Sequence, residues 1–240
     1  MHPMTSQPTS HTQTLDLSER GANDAKSDRR LFMQLHAFGE CLDTGAVIEA
    51  MQIIGVDGVL YEDLHDPQGI AVVLFSEHAD DFVAHFRRLL HGAPFNTMAH
   101  KSELSMFGRT YAIGYERDLD ETLVHRPRRT LLNPEWTWAV WYPLRRRGGF
   151  AQLPRDERMD ILKEHGAIGM QYGAADLAHD IRLACHGLDR NDNDFVIGLT
   201  GAELAPLSKL VETMRPTKQT STWIERLGPF FVGRKVWHSA

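Results

Sequence analysis

The sequence predicts an α+β protein made of two similar halves, each a ferredoxin-like unit with an antiparallel sheet. Short segments of alternating apolar residues are separated by segments with helical periodicity. The order of these segments repeats along the 240 residues. The amino-acid sequence itself also contains a repeat. The segment at 69–90, GIAVVLFSEHADDFVAHFRRLL, is similar to the segment at 194–214, DFVIGLTGAELAPLSKLVETM. Self-similarity of this kind indicates duplication.

The N-terminal half is predicted to span residues 30–125. Residues 1–29 are rich in Ser, Thr, Gln, Asp and His and have almost no apolar periodicity, which predicts a disordered tail. The predicted elements that follow are a strand at 31–38, a helix at 44–54, strands at 59–64 and 69–75, a helix at 79–90 and a strand at 110–115.

The C-terminal half, residues 126–240, repeats this order after a connection at 117–133 that is rich in Arg and Pro. Its predicted elements are a strand at 137–142, a helix at 155–168, strands at 181–184 and 195–199, a helix at 202–214 and a strand at 230–236. The glycines of GAIGMQYG at 166–173 indicate the end of the first helix. Each half has the β-α-β-β-α-β order. Two such sheets can face each other around a closed core.

The composition excludes several classes of protein. The net charge of −6 argues against general nucleic-acid binding, which depends on neutralising phosphates. There is no apolar run long enough for a membrane span and no signal-peptide pattern, so we expect a cytoplasmic protein. Cys41 and Cys185 lack metal-type spacing, and we expect neither a disulfide framework nor a cysteine zinc site.

One segment is basic although the chain is acidic. Between residues 126 and 147 a single acid, Glu135, accompanies the arginines Arg126, Arg128, Arg129, Arg145, Arg146 and Arg147. A solvated basic face is one interpretation. A site for a small polyanion is the other, because the guanidinium fork matches a carboxylate.

His165 is the histidine that periodicity singles out. It shares a stripe of the helix at 155–168 with Met159, Leu162 and Ile168, so the imidazole is predicted to face inward. Periodicity alone favours a hydrogen-bonded core histidine over a functional one. His179 and His186 are seven residues apart and fall on opposite faces of a strand, which argues against a shared metal. The sequence contains no HExxH, GxSxG, P-loop or paired CxxC.

Five motifs in order carry a more specific signal. They are YPL, LPRDERMDILKEHGAIG, HGLDRNDNDFVIGL, ETMRPTKQT and GPFFVGRK. Together they resemble the chlorite dismutase and coproheme decarboxylase family of heme proteins, over residues 31–237. The resemblance implies two ferredoxin-like halves in each subunit, a ring of subunits that is commonly a homopentamer, and a porphyrin held by the C-terminal half.

The resemblance also implies roles for single residues. His165 corresponds to the histidine that binds the heme iron, Tyr142 to a radical relay, and His125 to a base that deprotonates hydrogen peroxide. Three further positions correspond to contacts with the porphyrin propionates: Arg146, Arg215 and Thr220.

Two positions depart from the family pattern. The distal arginine expected of chlorite dismutases aligns near Asp180, and a register that brings Arg182 or His186 into the pocket stays open. The acidic partner of the iron-binding histidine is replaced by Lys218, which cannot accept a hydrogen bond when protonated. The first departure favours decarboxylation or peroxidase chemistry over chlorite cleavage.

The function implied is peroxide-dependent decarboxylation of coproheme III to heme b, a step of heme biosynthesis. A heme b peroxidase or chlorite dismutase is one alternative, and a non-catalytic porphyrin-binding or heme-binding protein is another. The implied cofactor or substrate is heme b or iron coproporphyrin III, with hydrogen peroxide as the oxidant. A transient contact with ferrochelatase is the further partner that the resemblance implies.

Overall fold

The structure is a computed structural model that describes residues 15–240. Its strands are β1 (Glu19–Arg20), β2 (Lys26–Ser27), β3 (Phe32–Gly39), β4 (Gly58–Asp63), β5 (Ile70–Ser76), β6 (Ala99–Arg109), β7 (Trp138–Arg146), β8 (His179–Ala184), β9 (Phe195–Gly201), β10 (Ile224–Leu227) and β11 (Phe231–His238). Its α-helices are α1 (Thr44–Ile54), α2 (Asp80–Val83), α3 (His85–His91), α4 (Arg126–Leu132), α5 (Gly149–Gln152), α6 (Arg155–Ala174) and α7 (Leu204–Met214). Short π-helical turns lie at Glu121–His125 and Gln219–Trp223.

Strands β3 to β11 form one antiparallel sheet that closes on itself. Its order is β10-β7-β11-β4-β5-β3-β6-β8-β9, and β7 also pairs with β9. Within the N-terminal half the strands run β6-β3-β5-β4, and within the C-terminal half they run β11-β7-β9-β8. Numbered within each half, both orders are 4-1-3-2. The prediction of two duplicated ferredoxin-like halves around a closed core is therefore confirmed.

The barrel interior is an apolar core shared by the two halves. Strand β7 sends Ala139 and Trp141 into this core, while Val140 and Tyr142 face outward, as the predicted alternation requires. Trp141 lies across Gly198 of β9, where an added Cβ would stand 2.6 Å from the indole ring. A glycine is required there because the ring occupies the space of any side chain.

Two outer layers of helices cover the barrel. Helices α1 and α3 pack on the outer face of the N-terminal half, and α6 and α7 pack on the outer face of the C-terminal half. None of the helices within residues 15–240 has both the length and the apolar character that a membrane crossing requires.

The predicted strand at 110–115 is wrong. The last strand of the N-terminal half is β6, and residues 110–115 have no regular structure. The register between β3 and β6 shifts between Leu35 and Ala37, so β6 is bulged and its alternation is interrupted. Thr110 then ends the strand, because its hydroxyl accepts from the Leu31 amide and donates to the Leu123 carbonyl.

The predicted end of the first C-terminal helix at residue 168 is also wrong. Helix α6 continues through the glycines of 166–173 to Ala174 and ends before Asp176, whose φ is +56°. Glycine costs a helix only about 1 kcal/mol relative to alanine. Packing of Ile168 and Tyr172 in the outer layer favours the continued helix.

The disordered tail needs a partial correction. Residues 1–14 lie outside the described residues. Residues 15–29 contain β1 and β2, and Arg29 forms ion pairs with Glu77 at 2.8 Å and Asp120 at 2.9 Å. These residues attach to the barrel mainly through charges, which apolar periodicity does not detect. The boundary between the halves near residue 125 stays a prediction.

Candidate functional site

The outer face of β7 and β8 carries a group of polar side chains. We call Tyr142, Arg146, Asp180 and Arg182 the Tyr142 surface. Tyr142 on β7 and Arg182 on β8 both pair with Ile197 of β9, so they flank it on one face of the sheet. Asp180 lies one pleat away from Arg182, and their side chains form an ion pair of 2.9 Å.

His165 reaches this region from α6. The side chain is half-buried, and its Nδ1 lies 3.3 Å from the hydroxyl oxygen of Thr217. Burial lowers the pKa of His165 below its ordinary value, and the positive charges of Arg146 and Arg182 lower it further. The imidazole is therefore neutral near pH 7, the form that can donate a lone pair to a metal.

The hydroxyl of Thr217 lies between His165 and the end of α7. Its Oγ1 lies 2.7 Å from the carbonyl oxygen of Met214, which can only accept a hydrogen bond. The short bond to Met214 is the favoured place for the hydroxyl proton of Thr217, and this favours Nδ1 of His165 as the donor of the longer contact. This arrangement leaves the lone pair on Nε2 of His165.

Lys218, by contrast, points away from His165. Its Nζ donates to Glu157 at 3.0 Å, and its backbone amide donates to Glu164 at 3.0 Å. The family resemblance places the hydrogen-bond partner of His165 at position 218, but in this structure the neighbouring Thr217 contacts the imidazole. Sequence reasoning did not single out Thr217, because a single threonine beside an unusual lysine has many ordinary explanations.

Tyr142 is a buried phenol. Only 6% of the residue is exposed, and its ring stacks on Phe230 at a centroid distance of 4.7 Å. Burial raises the pKa of Tyr142 well above its ordinary value, and the negative charge of Asp180 raises it further. Tyr142 therefore holds its proton throughout the physiological range.

Arg146 is held between two aromatic rings. Its guanidinium carbon lies 4.8 Å from the ring centre of Phe150 and 4.6 Å from that of Phe195. Its Nε is buried and has no hydrogen-bond partner among the described residues. A buried cationic nitrogen without a partner is costly, so this arrangement suits an anionic ligand.

The other arginines of the basic segment are engaged elsewhere or exposed. Arg128 pairs with Asp57 at 3.2 Å, Arg129 pairs with Glu121, and Arg145 pairs with Asp192 at 2.8 Å. Arg126 and Arg147 are exposed. The solvated-face interpretation therefore describes most of this segment, and Arg146 alone joins the Tyr142 surface.

Two of the proposed residues, His125 and His186, are exposed side chains. His125 is exposed at the end of the π-helical turn Glu121–His125. No hydrogen bond within residues 15–240 joins it to Tyr142 or His165. His186 lies 3.4 Å from Asp194, and its ring lies 5.3 Å from that of Phe195, which also contacts Arg146.

Three other residues do lie close to the site. Arg215, at the C-terminal end of α7, is near enough to Tyr142 for its charge to affect the phenol. The hydroxyl of Thr220 is 3.3 Å from that of Thr217. Tyr111 was missed because it falls in the wrongly predicted strand at 110–115, and its ring lies 5.5 Å from Phe195.

The comparison with protein families agrees with this architecture. The family model described as chlorite dismutase matches residues 62–236, more than half of the chain. The chain belongs to the chlorite dismutase family. The resemblance stated from the five sequence motifs is thereby confirmed.

Other members can be compared over different lengths. A coproheme decarboxylase of Thermus thermophilus is 30% identical over 139 residues, which are 53% of this chain and 54% of that protein. The chain thus spans about half the length of the curated relatives it matches.

Solved structures of similar shape cover most of the chain. A heme-binding protein from Thermus thermophilus has a TM-score of 0.66 and 20% identity, and the match covers 87% of this chain and 94% of the other. A chlorite dismutase variant from Candidatus Nitrospira defluvii, in complex with cyanide, has a TM-score of 0.64 and 13% identity over 88% and 92% of the two chains. At these identities the likeness confirms the fold alone.

The residues of this chlorite dismutase family member fit a porphyrin that carries iron. Within residues 15–240, no three His, Cys, Asp or Glu side chains are grouped so that they could hold a metal ion. A heme iron needs only one axial histidine from the protein. His165 offers Nε2 for that purpose, and the unpartnered Nε of Arg146 suits a propionate carboxylate.

Proposed function

We propose that this protein is a heme oxidoreductase that decarboxylates coproheme III to heme b with hydrogen peroxide. The observation that carries the proposal is the 3.3 Å contact between Nδ1 of His165 and the hydroxyl of Thr217, whose own short bond goes to Met214, so that Nε2 is the nitrogen available to iron. A buried phenol, Tyr142, and a buried guanidinium, Arg146, accompany it. Similarity to the Thermus coproheme decarboxylase supports the same reaction.

Each residue has a role that follows from its surroundings. His165 would hold the iron through Nε2, and its neutral form persists because burial lowers its pKa. Arg146 would bind one propionate and orient the porphyrin ring. When bound, the porphyrin iron supplies the redox chemistry with peroxide. Tyr142 keeps its proton on the phenol oxygen, as a residue that passes on a hydrogen atom must.

The charges near the Tyr142 surface favour coproheme over ordinary heme. Coproheme has four carboxylates, and heme b has two. Arg146 has an unpartnered nitrogen, and Arg215 is exposed at the end of α7. Additional carboxylates would gain charge-assisted hydrogen bonds from these groups. Thr220, half-buried beside Thr217, is the third group that we propose for the propionates.

A chlorite dismutase or heme b peroxidase is the second candidate. Arg182 supports it, because it lies on the same face as Tyr142, where a distal arginine could act. The ion pair with Asp180 at 2.9 Å weakens this support, since it engages the guanidinium. For this reason decarboxylation remains the first proposal.

The decisive experiment loads the purified protein with iron coproporphyrin III and adds hydrogen peroxide in steps. We expect conversion to heme b through a singly decarboxylated porphyrin, followed by chromatography. Oxygen release from chlorite would support the second candidate instead. Tight binding with neither reaction would show a non-catalytic heme-binding protein and contradict the proposal.

Substituting Tyr142→Phe tests the phenol directly. We expect decarboxylation to be lost while porphyrin binding is retained, because the ring stays and only the hydroxyl is removed. Tyr172→Phe is the matched control, since Tyr172 lies in the same outer layer with its hydroxyl 3.2 Å from that of Thr213. Decarboxylation at the normal rate by the Tyr142 variant would contradict its role.

The remaining roles stay proposals. His125 as the base for peroxide can be tested by His125→Ala, which should slow the reaction with peroxide without weakening porphyrin binding. The homopentamer and the contact with ferrochelatase rest on the family resemblance, and the cytoplasmic location rests on the hydropathy pattern of the sequence.

A further inference from the structure

We infer that the hydroxyl of Thr217 is the positioning partner of His165 and holds the imidazole in the tautomer with its proton on Nδ1. The consequences for iron rest on the proposed binding of heme by His165. The tautomer itself is a property of the protein alone and can be measured without a porphyrin.

The position of Thr217 is fixed from several sides. The residue is only 4% exposed and lies between the end of α7 and the turn Gln219–Trp223. Its amide donates to Met214 at 3.2 Å, and its carbonyl accepts from the hydroxyl of Ser221 at 2.9 Å. The hydroxyl is therefore held at one place beside α6.

The adjacent residue ties this segment to the helix that carries His165. The amide of Lys218 donates to Glu164, the residue before His165, at 3.0 Å. Its ammonium group donates to Glu157, two turns earlier on α6, at 3.0 Å. Lys218 thus has a role in placing Thr217, although its own side chain does not contact His165.

The hydroxyl is a weak acceptor for the histidine. Its proton is directed to Met214, the last residue of α7, whose carbonyl lies at the negative end of the helix dipole. Its oxygen also lies 3.4 Å from the amide and 3.3 Å from the hydroxyl of Thr220. A neutral hydroxyl oxygen with several polar neighbours accepts only a weak hydrogen bond. It orients Nδ1–H of His165, and the proton stays on the imidazole.

A carboxylate at this place would act differently. It would accept a charge-assisted hydrogen bond from Nδ1–H and make Nε2 a stronger donor to a metal. With Thr217, the iron would be bound by a less basic imidazole. We therefore expect a weaker iron–histidine bond and a higher reduction potential than the same chain would have with an acid at position 217.

The first test uses the porphyrin-free protein. Heteronuclear NMR of protein with labelled histidines reports which ring nitrogen of His165 carries the proton at about pH 8, where a histidine is neutral. We expect the Nδ1–H form in the natural chain. In Thr217→Val the ratio should shift by about fivefold towards the Nε2–H form, the typical value of one hydrogen bond. Thr222→Val, the same change at an exposed position of the same segment, should leave the ratio unchanged.

The second test uses the ferrous iron protoporphyrin complex. Resonance Raman spectroscopy should show a higher iron–histidine stretching frequency in Thr217→Asp than in the natural chain, and Thr222→Asp, at an exposed position, should match the natural chain. An Nε2–H tautomer in the natural porphyrin-free protein would overturn the inference, and so would an unchanged ratio in Thr217→Val. Failure to bind any porphyrin would refute the proposed function, while the NMR result would still decide the role of Thr217.

Discussion

The two halves place different chemistry at equivalent positions of one fold. In the C-terminal half, Tyr142 and Arg182 flank Ile197. In the N-terminal half, His36 and Leu60 flank Val72 in the same way. The sequence repeat aligns Val72 with Ile197, so Leu60 is the counterpart of Arg182 and His36 is the counterpart of Tyr142.

The covering helices differ in the same sense. Helix α1 has 11 residues and packs Val47 and Met51, both fully buried, over this surface. Helix α6 has 20 residues, of which only Ile161 is buried. One copy of the duplicated unit therefore fills its outer face with apolar side chains, and the other leaves polar groups beneath a long helix. The C-terminal half therefore has less apolar packing than the N-terminal half at the place where the porphyrin is proposed to bind.

Exchanging the side chains of the equivalent residues Leu60 and Arg182 should give the largest effect, a change in the free energy of unfolding. Leu60 is fully buried, so Leu60→Arg would place a charge without a partner in an apolar layer. We expect a loss of more than about 4 kcal/mol in the free energy of unfolding. The reciprocal change, Arg182→Leu, should cost no more than about 1 kcal/mol, because its ion pair with Asp180 is partly exposed. Chemical denaturation measures both, and equal losses would contradict the comparison.

Removing His165 should abolish specific iron porphyrin binding. Loss of an outer partner of a metal ligand typically weakens binding 10- to 100-fold, so we expect His165→Ala to weaken it by more than about 100-fold. His36→Ala, in the other half, is the control and should bind normally. Optical titration with iron coproporphyrin III measures both affinities, and comparable losses in the two variants would place the iron elsewhere.

His36 should make the protein less stable in mild acid. Its Nδ1 lies 3.2 Å from Nε2 of His100, and burial, with a smaller contribution from His100, lowers its pKa from 6.5 to about 4. Between these values the unfolded chain binds a proton that the folded chain does not, so the free energy of unfolding falls as the pH falls from about 6.5 to about 4. We expect this to amount to about 3 kcal/mol.

The variant His36→Gln should remove most of that pH dependence. Denaturation curves measured across this range test it, with His65→Gln, an exposed histidine of the same half, as the control. The same acid dependence in the natural chain and in His36→Gln would show that another group is responsible.

The smallest expected effect concerns Arg146. Arg146→Gln should weaken the binding of iron coproporphyrin III by about tenfold, the typical value of a hydrogen bond to a charged group. Binding of an iron porphyrin that has no carboxylate should be unchanged. Arg145→Gln is the control, because Arg145 is paired with Asp192. Equal losses for both porphyrins would argue against a propionate contact.

Much of the fold follows from the sequence, because both signals it depends on are local. Alternation predicts β7, and the repeated letters predict the equivalent pairs of strand and helix. Alternation does not predict β6, because a register shift opposite His36 interrupts the alternation of its side chains. The sequence does not predict the full length of α6 either, because packing of Tyr172 outweighs the low helix propensity of glycine.

The candidate site could be predicted from the sequence only in part. The family motifs single out His165 and Tyr142, and the structure brings both to one outer layer. Thr217 could not be predicted, because its role depends on where its hydroxyl lies relative to Met214 and His165. Such a contact depends on the fold of two helix ends and leaves no pattern in the sequence.

The central claim is that the C-terminal half binds iron porphyrin through His165. Resonance Raman spectroscopy of the ferrous iron coproporphyrin III complex tests it most directly. An iron–histidine stretching band should appear in the natural chain and in His36→Ala and should be absent from His165→Ala. A band that persists unchanged in His165→Ala would contradict the claim.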